Sequence, residues 1–145
     1  MKKVVVIYWS GTGNTEEMAK AVAAGAGLDG VTVQLTSVDK ASIEDVLSAN
    51  AVALGCPSMG DEVLEESEME PFVQSLEGQS LSGIPLALFG SYDWGDGQWM
   101  RDWMERMKKL GVVLVDDGLT VQSTPDDAGL AKCKELGAKL TSALA

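Results

Sequence analysis

Four consecutive apolar residues, Val4-Val5-Val6-Ile7, run straight into Tyr8-Trp9-Ser10-Gly11-Thr12-Gly13-Asn14-Thr15-Glu16. Behind that stretch comes a helical spacing, Met18, Val22 and Ala26, with Ala19 and Ala23 between them. This succession constrains the fold more than any other feature of the chain. An unbroken apolar run fits a strand covered on both faces, so the chain must supply a layer above it and another below. A loop of small residues that opens a helix leaves several backbone N–H groups unpaired at the positive end of the helix dipole. Gly11 and Gly13 let that backbone turn sharply and approach an anion closely. Ser10, Thr12 and Thr15 add hydroxyls, and Asn14 adds an amide. The chemistry is that of a phosphate cradle.

The spacing excludes the two commonest phosphate loops. A Walker loop needs a lysine beside its second glycine, and here no lysine stands between Lys3 and Lys20. The dinucleotide fingerprint needs a third glycine where Glu16 stands. Neutral donors alone suit the phosphate monoester of a mononucleotide, without a metal and without phosphoryl transfer. With no histidine and only Cys56 and Cys133, the chain lacks Cys/His metal spacing and the usual general base. No metal ligand and no catalytic residue is expected. Both cysteines read as buried thiols in a reducing compartment.

A net charge of -11 would repel a nucleic-acid backbone and suits a basic docking surface on another protein. The lysines at 2 and 3 followed by apolar residues imitate a signal peptide, but the apolar run is too short for one. Nothing approaches a membrane-spanning run, so a cytoplasmic location without a membrane partner is expected. The 145 residues are expected to form one domain, 1–145.

Along the chain, Gly25, Gly27 and Gly30 mark the end of the first helix and a turn. Val31 to Thr36 alternates as a strand, and Ser42 with Asp45 forms a capping box before Ile43, Val46 and Leu47. Ala51 to Cys56 is a buried central strand, and Pro57 to Glu66 an acidic loop. Ser67 with Glu70 predicts a second capping box, opening a helix with Pro71 in its first turn and Phe72, Val73 and Leu76 inward. Ile84 to Gly90 is a fourth strand. A loop from Ser91 to Gly97 leads to a helix carrying Trp99, Trp103 and Met107 on one face, with Met100 and Met104 beside it. Val112 to Val115 and Leu119 to Gln122 make a fifth strand, interrupted at Asp116-Asp117-Gly118. Thr124 caps and Pro125 opens the last helix, with Leu130, Cys133, Leu136, Leu140 and Leu144 inward. Strands alternating with helices predict an α/β fold, a parallel sheet with helices on both faces. A topological switch beside the first strand places ligands at the carboxyl ends of strands one and three.

Three segments now carry a resemblance. Tyr8 to Glu16, Gly55-Cys56-Pro57-Ser58-Met59-Gly60-Asp61-Glu62, and Phe89-Gly90-Ser91-Tyr92-Asp93-Trp94-Gly95-Asp96-Gly97 are similar, in order and spacing, to the cofactor loops of short-chain flavodoxins of the clostridial type. The resemblance runs from Lys3 to the final helix. It implies a three-layer flavodoxin-like sandwich whose five-stranded parallel sheet has the order 2-1-3-4-5, with FMN bound noncovalently. It implies that Ser10, Gly11, Thr12, Gly13, Asn14 and Thr15 cradle the FMN phosphate. Trp94 would stack on the isoalloxazine and Met59 pack on its other face, an aromatic ring and a polarizable thioether against a flat ring. Gly60 matches a glycine whose peptide flips toward flavin N5 when the ring is half reduced, and Glu62 an acid that receives flavin N3–H. Pro57, Ser58 and Asp61 belong to the same loop. Peptide groups of Ser91, Tyr92, Asp93 and Gly95 would frame the pyrimidine edge.

Two positions depart from the pattern. Pro57 stands where some relatives have a serine, which removes one phosphate contact. Asp93 stands where close relatives have glycine; if that position needs φ > 0, Asp is one of the few substitutes. Asp61, Glu62, Glu65, Glu66, Glu68, Glu70, Asp93 and Asp96 gather in or near the two ring loops, and together would lower the second potential and dock basic partners. The implied activity is a low-potential one-electron carrier between redox enzymes, expected to act as a monomer. The rival is an FMN-dependent NAD(P)H:quinone reductase of the same fold, for which the short loops leave little material to build a nicotinamide pocket.

Overall fold

In the computed structural model, which describes residues 2–28 and 30–144, the strands are β1 Lys2–Tyr8, β2 Val31–Ser37, β3 Ala51–Gly55, β4 Pro85–Tyr92, β5 Val113–Leu114 and β6 Leu119–Gln122. The helices between and after them are α1 Asn14–Ala26, α2 Ile43–Leu47, α3 Met69–Leu76, α4 Gln98–Lys108 and α5 Asp127–Ser142. All strand pairs are parallel, in the order β2-β1-β3-β4-β5. β6 occupies the same outer side of β4 as β5, further along it: Leu86 faces Leu114 and Phe89 faces Leu119. The expected fifth strand is therefore one lane in two pieces, broken where expected at Asp116-Asp117-Gly118. Gly118 passes so close to α4 that an added Cβ would lie 2.4 Å from Met100 Sδ.

Period-two alternation divides the sheet between two cores. Val4, Val6, Ala51, Ala53, Ala87 and Phe89 pack with Met18, Val22, Cys133, Leu136 and Leu140 of α1 and α5. Val5, Ile7, Val52, Leu54, Leu86 and Leu88 pack with Met69, Val73, Leu76, Trp99, Trp103 and Met107 of α3 and α4. The continuous apolar runs thus serve two opposite layers. Both cysteines are free and buried, and burial pushes their thiols up to about 12 for Cys56 and about 11 for Cys133. No described helix is long and apolar enough to cross a membrane.

The Ser42–Asp45 capping box is present in full. Four local expectations are corrected. Gly25 lies inside α1, and Gly27 ends it. The last helix is capped by Asp126, whose carboxylate accepts from Gly129 N–H at 2.8 Å, so Thr124 and Pro125 precede it. α3 has no Ser67–Glu70 box: Ser67, Glu68 and Met69 all donate backbone N–H groups to the Glu65 carboxylate. A buried carboxylate with two oxygens satisfies three donors where a serine hydroxyl would satisfy one. Ser91 and Tyr92 belong to β4 rather than to the loop after it, because β6 extends the pairing to Gln122.

Candidate functional site

β1, β3 and β4 all end at the same edge of the sheet, and the order β2-β1-β3 places the switch point between β1 and β3. A cleft opens there. Its walls are Trp9, Ser10, Gly11, Thr12, Asn14 and Thr15 after β1, Pro57, Ser58 and Met59 after β3, and Ser91, Tyr92 and Asp93 at the end of β4. Eleven of these twelve were expected from the sequence. Trp9 was not; its signal is an aromatic ring adjoining a loop of glycines, and an added Cβ at Gly11 would sit 2.9 Å from that ring.

The first loop presents unpaired backbone donors. Gly13 stands at φ +98° immediately before α1, and no side chain caps the helix. The N–H groups of its first turn are therefore offered outward with the positive end of the dipole. The Ser10 hydroxyl accepts from Gly13 N–H at 3.1 Å and holds the turn. Thr15 faces inward, only 1% exposed, its hydroxyl 2.8 Å from that of Ser91. This contact ties the loop to β4 and leaves Thr12 and Asn14 as the outward side chains. On the middle wall the Ser58 hydroxyl is buried without a hydrogen-bond partner. An orphaned hydroxyl beside an uncapped helix start fits a ligand rich in oxygen atoms, such as a phosphate with a polyol chain.

The second loop is a tight hairpin. Met59 and Val63 exchange both N–H···O bonds at 2.9 Å, with Gly60 at φ +50° and Glu62 at φ +56° in the turn. One oxygen of Glu62 accepts from Gly97 N–H at 3.1 Å and Gln98 N–H at 3.0 Å, so it caps α4 from 35 residues away. The carboxyl also packs on Gly95, where an added Cβ would lie 2.6 Å from it. Glu62 thus staples the hairpin to the loop after β4. Trp94, in that loop, is 59% exposed. The Ser91 carbonyl accepts from Ser58 N–H and the Tyr92 carbonyl from Ser123 N–H, so both are committed within the protein. Asp93 is exposed, and its carbonyl accepts from Gln122 at 3.4 Å. Gly13, Gly60, Asp61, Glu62, Trp94 and Gly95 lie on the adjoining loops rather than in the cleft wall.

The acidic rim is thinner than its sequence suggests. Glu65 is 6% exposed and spent on the start of α3. Burial alone would raise its pKa, but the N–H donors of Ser67, Met69 and Glu68 outweigh that and hold it below the usual carboxylate range. Glu70 is held by both Nη atoms of Arg106, at 2.8 and 2.6 Å, and this pairing lowers its pKa. Asp96 pairs with Arg101 at 2.9 Å, and Glu68 accepts from the Trp9 indole at 3.3 Å. Asp61, Glu66 and Asp93 remain as exposed carboxylates of the rim.

An uncapped helix start at the switch point of a doubly wound parallel sheet, facing a hairpin that carries Met59 and an exposed tryptophan, defines a mononucleotide-binding α/β protein. The family is given by comparison with known proteins. The flavodoxin family model matches residues 6–137. The chain is 48% identical over 137 residues to flavodoxin of Clostridium beijerinckii, covering 94% of this chain and 98% of that one. It is 42% identical to flavodoxin of Megasphaera elsdenii, covering 92% and 95%. The solution structure of the two-electron reduced Megasphaera elsdenii protein superposes with a TM-score of 0.85 over 96% of this chain and 98% of that one, at 40% identity. The chain belongs to the flavodoxin family, and its cofactor is FMN. Proteins of this family carry electrons to redox partners.

Proposed function

We propose that the chain is a low-potential carrier of single electrons between redox enzymes, with its FMN seated in the cleft described above. The reading takes residues 1–145 as one domain that works as a monomer in the cytoplasm. The observation that carries it is the meeting of unsatisfied donors at one sheet edge: the first turn of α1, which no side chain caps, and the partnerless Ser58 hydroxyl. When bound, FMN supplies a ring that takes up and gives back electrons one at a time. The chain's own residues then have separable tasks. Asn14, Thr12, Ser10 and the peptide groups of Gly11, Gly13 and Thr15 hold the phosphate, with no cation needed. Pro57 and Ser58 line the middle of the cleft, Ser58 supplying the hydroxyl that Pro57 lacks. Met59 and Trp94 cover the ring and exclude water from it, Glu62 has a second carboxylate oxygen free for a ring N–H, and Gly60 and Asp61 shape the turn beside it. Asp93 and Gly95, with Ser91 and Tyr92 behind them, close the far side. The remaining exposed carboxylates of the rim suit basic docking surfaces on partner proteins.

The test is affinity for FMN against riboflavin, which lacks the phosphate. Asn14→Ala should weaken FMN roughly 10- to 150-fold, the loss of a charge-assisted bond of about 1.5–3 kcal/mol, and leave riboflavin nearly unchanged. An equal loss for both ligands would remove the phosphate assignment.

A further inference from the structure

We propose that Glu65 is a positioning residue for both ends of this site, fixing the Met59–Val63 hairpin directly and the phosphate loop through Glu68 and Trp9. The inference rests on the reading that the cleft holds FMN. Glu65 sits where two supports meet. Its backbone N–H donates to Cys56 Sγ at 3.4 Å, at the end of β3. Its carboxylate receives the N–H groups of Ser67 at 2.7 Å, Glu68 at 2.7 Å and Met69 at 3.1 Å, at the start of α3. The segment between Cys56 and Glu65 is thereby closed at its base, and the paired N–H···O bonds of Met59 and Val63 close it again above. Each turn residue is left with little freedom. Glu62, a non-glycine, is held in a left-handed conformation that a free loop would leave.

The second route runs the other way. Glu68, whose own N–H is one of those held, accepts from the Trp9 indole at 3.3 Å. Trp9 in turn covers Gly11, at the centre of the phosphate loop. A shift at the start of α3 therefore reaches the hairpin and the cradle together. Removing the acceptor leaves three donors of a buried segment without their partner, so the segment must move to regain bonds. An ordinary helix cap would change the stability of α3 and nothing else. Glu65 differs because the chain on both sides of it carries the site.

The experiment compares the wild type with Glu65→Gln, Glu65→Asp and Glu66→Gln, all at a temperature where near-ultraviolet circular dichroism reports a folded protein. Binding of FMN and of riboflavin is measured, along with both one-electron potentials of the FMN-loaded protein. Glu66 is exposed, so Glu66→Gln removes the same charge from the neighbouring residue without touching the cap. Glu65→Gln should weaken riboflavin about tenfold through the hairpin and FMN by more than that, because the phosphate loop is loosened as well. It should also narrow the interval between the two potentials, because a loosened hairpin presents its peptide groups less firmly. Glu66→Gln should shift both potentials together and leave the affinities alone. Glu65→Asp keeps the charge and shortens the reach; it should follow Glu65→Gln in direction, and it decides the matter if the glutamine variant does not fold. Glu65 variants with lower melting temperatures but the affinities and interval of Glu66→Gln would overturn the inference. If Asn14→Ala still discriminates FMN from riboflavin, that failure leaves the cofactor site standing; if it does not, the site itself is at fault.

Discussion

At position 60 a side chain would cost conformation rather than space. An added Cβ finds nothing closer than Val63 Cγ2 at 3.9 Å, yet the backbone stands at φ +50°. Gly60→Ala therefore carries a penalty of about 1–2 kcal/mol that arises from the dihedral alone. The left-handed conformation already belongs to the loop as it stands, so the couples register only the difference in penalty between redox states. The first and second potentials should move in opposite directions, each by at most about 40–90 mV, at 59 mV per factor of ten. Asp93 acts by charge instead. Among the described residues only Glu62 and Ser123 are non-glycines at positive φ, so the position does not demand glycine, and Asp is admitted without strain. A carboxylate about 10 Å from a new negative charge, at an effective dielectric of about 40, opposes it by about 0.8 kcal/mol. Asp93→Asn should raise mainly the second potential, by about 35 mV. Redox titration of the two variants separates opposed shifts from a single one; an unchanged interval in Gly60→Ala would count against a role for the hairpin in the one-electron step.

Between elements, the contact of α1 with α5 depends on residues whose local meaning points elsewhere. Gly25 looks like a helix terminator, yet it lies within α1, where an added Cβ would stand 1.9 Å from the Lys134 carbonyl oxygen. Gly137 faces the Val22 carbonyl oxygen at 2.0 Å in the same sense, and the Thr141 hydroxyl donates to the Ala26 carbonyl at 2.7 Å. The two helices approach backbone to backbone. Gly137→Ala forces them apart and should destabilise the protein by about 1–3 kcal/mol despite its better helix propensity. The urea midpoint should fall while the ratio of FMN to riboflavin affinity stays constant, since neither helix touches the cleft at that end. A variant as stable as the wild type would mean the helices can separate without loss. α3 teaches the same lesson. Ser67-x-x-Glu70 satisfies the local pattern, but the decisive acceptor is Glu65, two to four residues before its three donors, and what the packing adds is its burial.

Across the whole molecule, a charge of -11 is real but unevenly available. Internal bonds occupy Glu62, Glu65, Glu68 and Glu70, and the surface cation Arg101 offsets the exposed Asp96, which leaves Asp61, Glu66 and Asp93 to meet a partner. Electron-transfer rates with a basic partner should fall as ionic strength rises from about 0.01 to 0.15 M, where the screening length shrinks from roughly 30 to 8 Å. Reversing the charge of Asp61 and Glu66 should reduce both the rate and its salt dependence, whereas Glu135→Lys, late in α5, should not. Stopped-flow rates indifferent to salt would remove the rim as the docking face. The sheet, its helices on both faces, the switch point and the uncapped helix start after β1 were all legible in the sequence, because each follows from neighbours: apolar period, small residues at a strand end, the order of elements. The burial of Glu65, the long-range cap from Glu62, the orphaned Ser58 hydroxyl and the close helix pair were not. Each depends on which group stands across a gap, and a chain acquires those partners only when its distant parts are packed together.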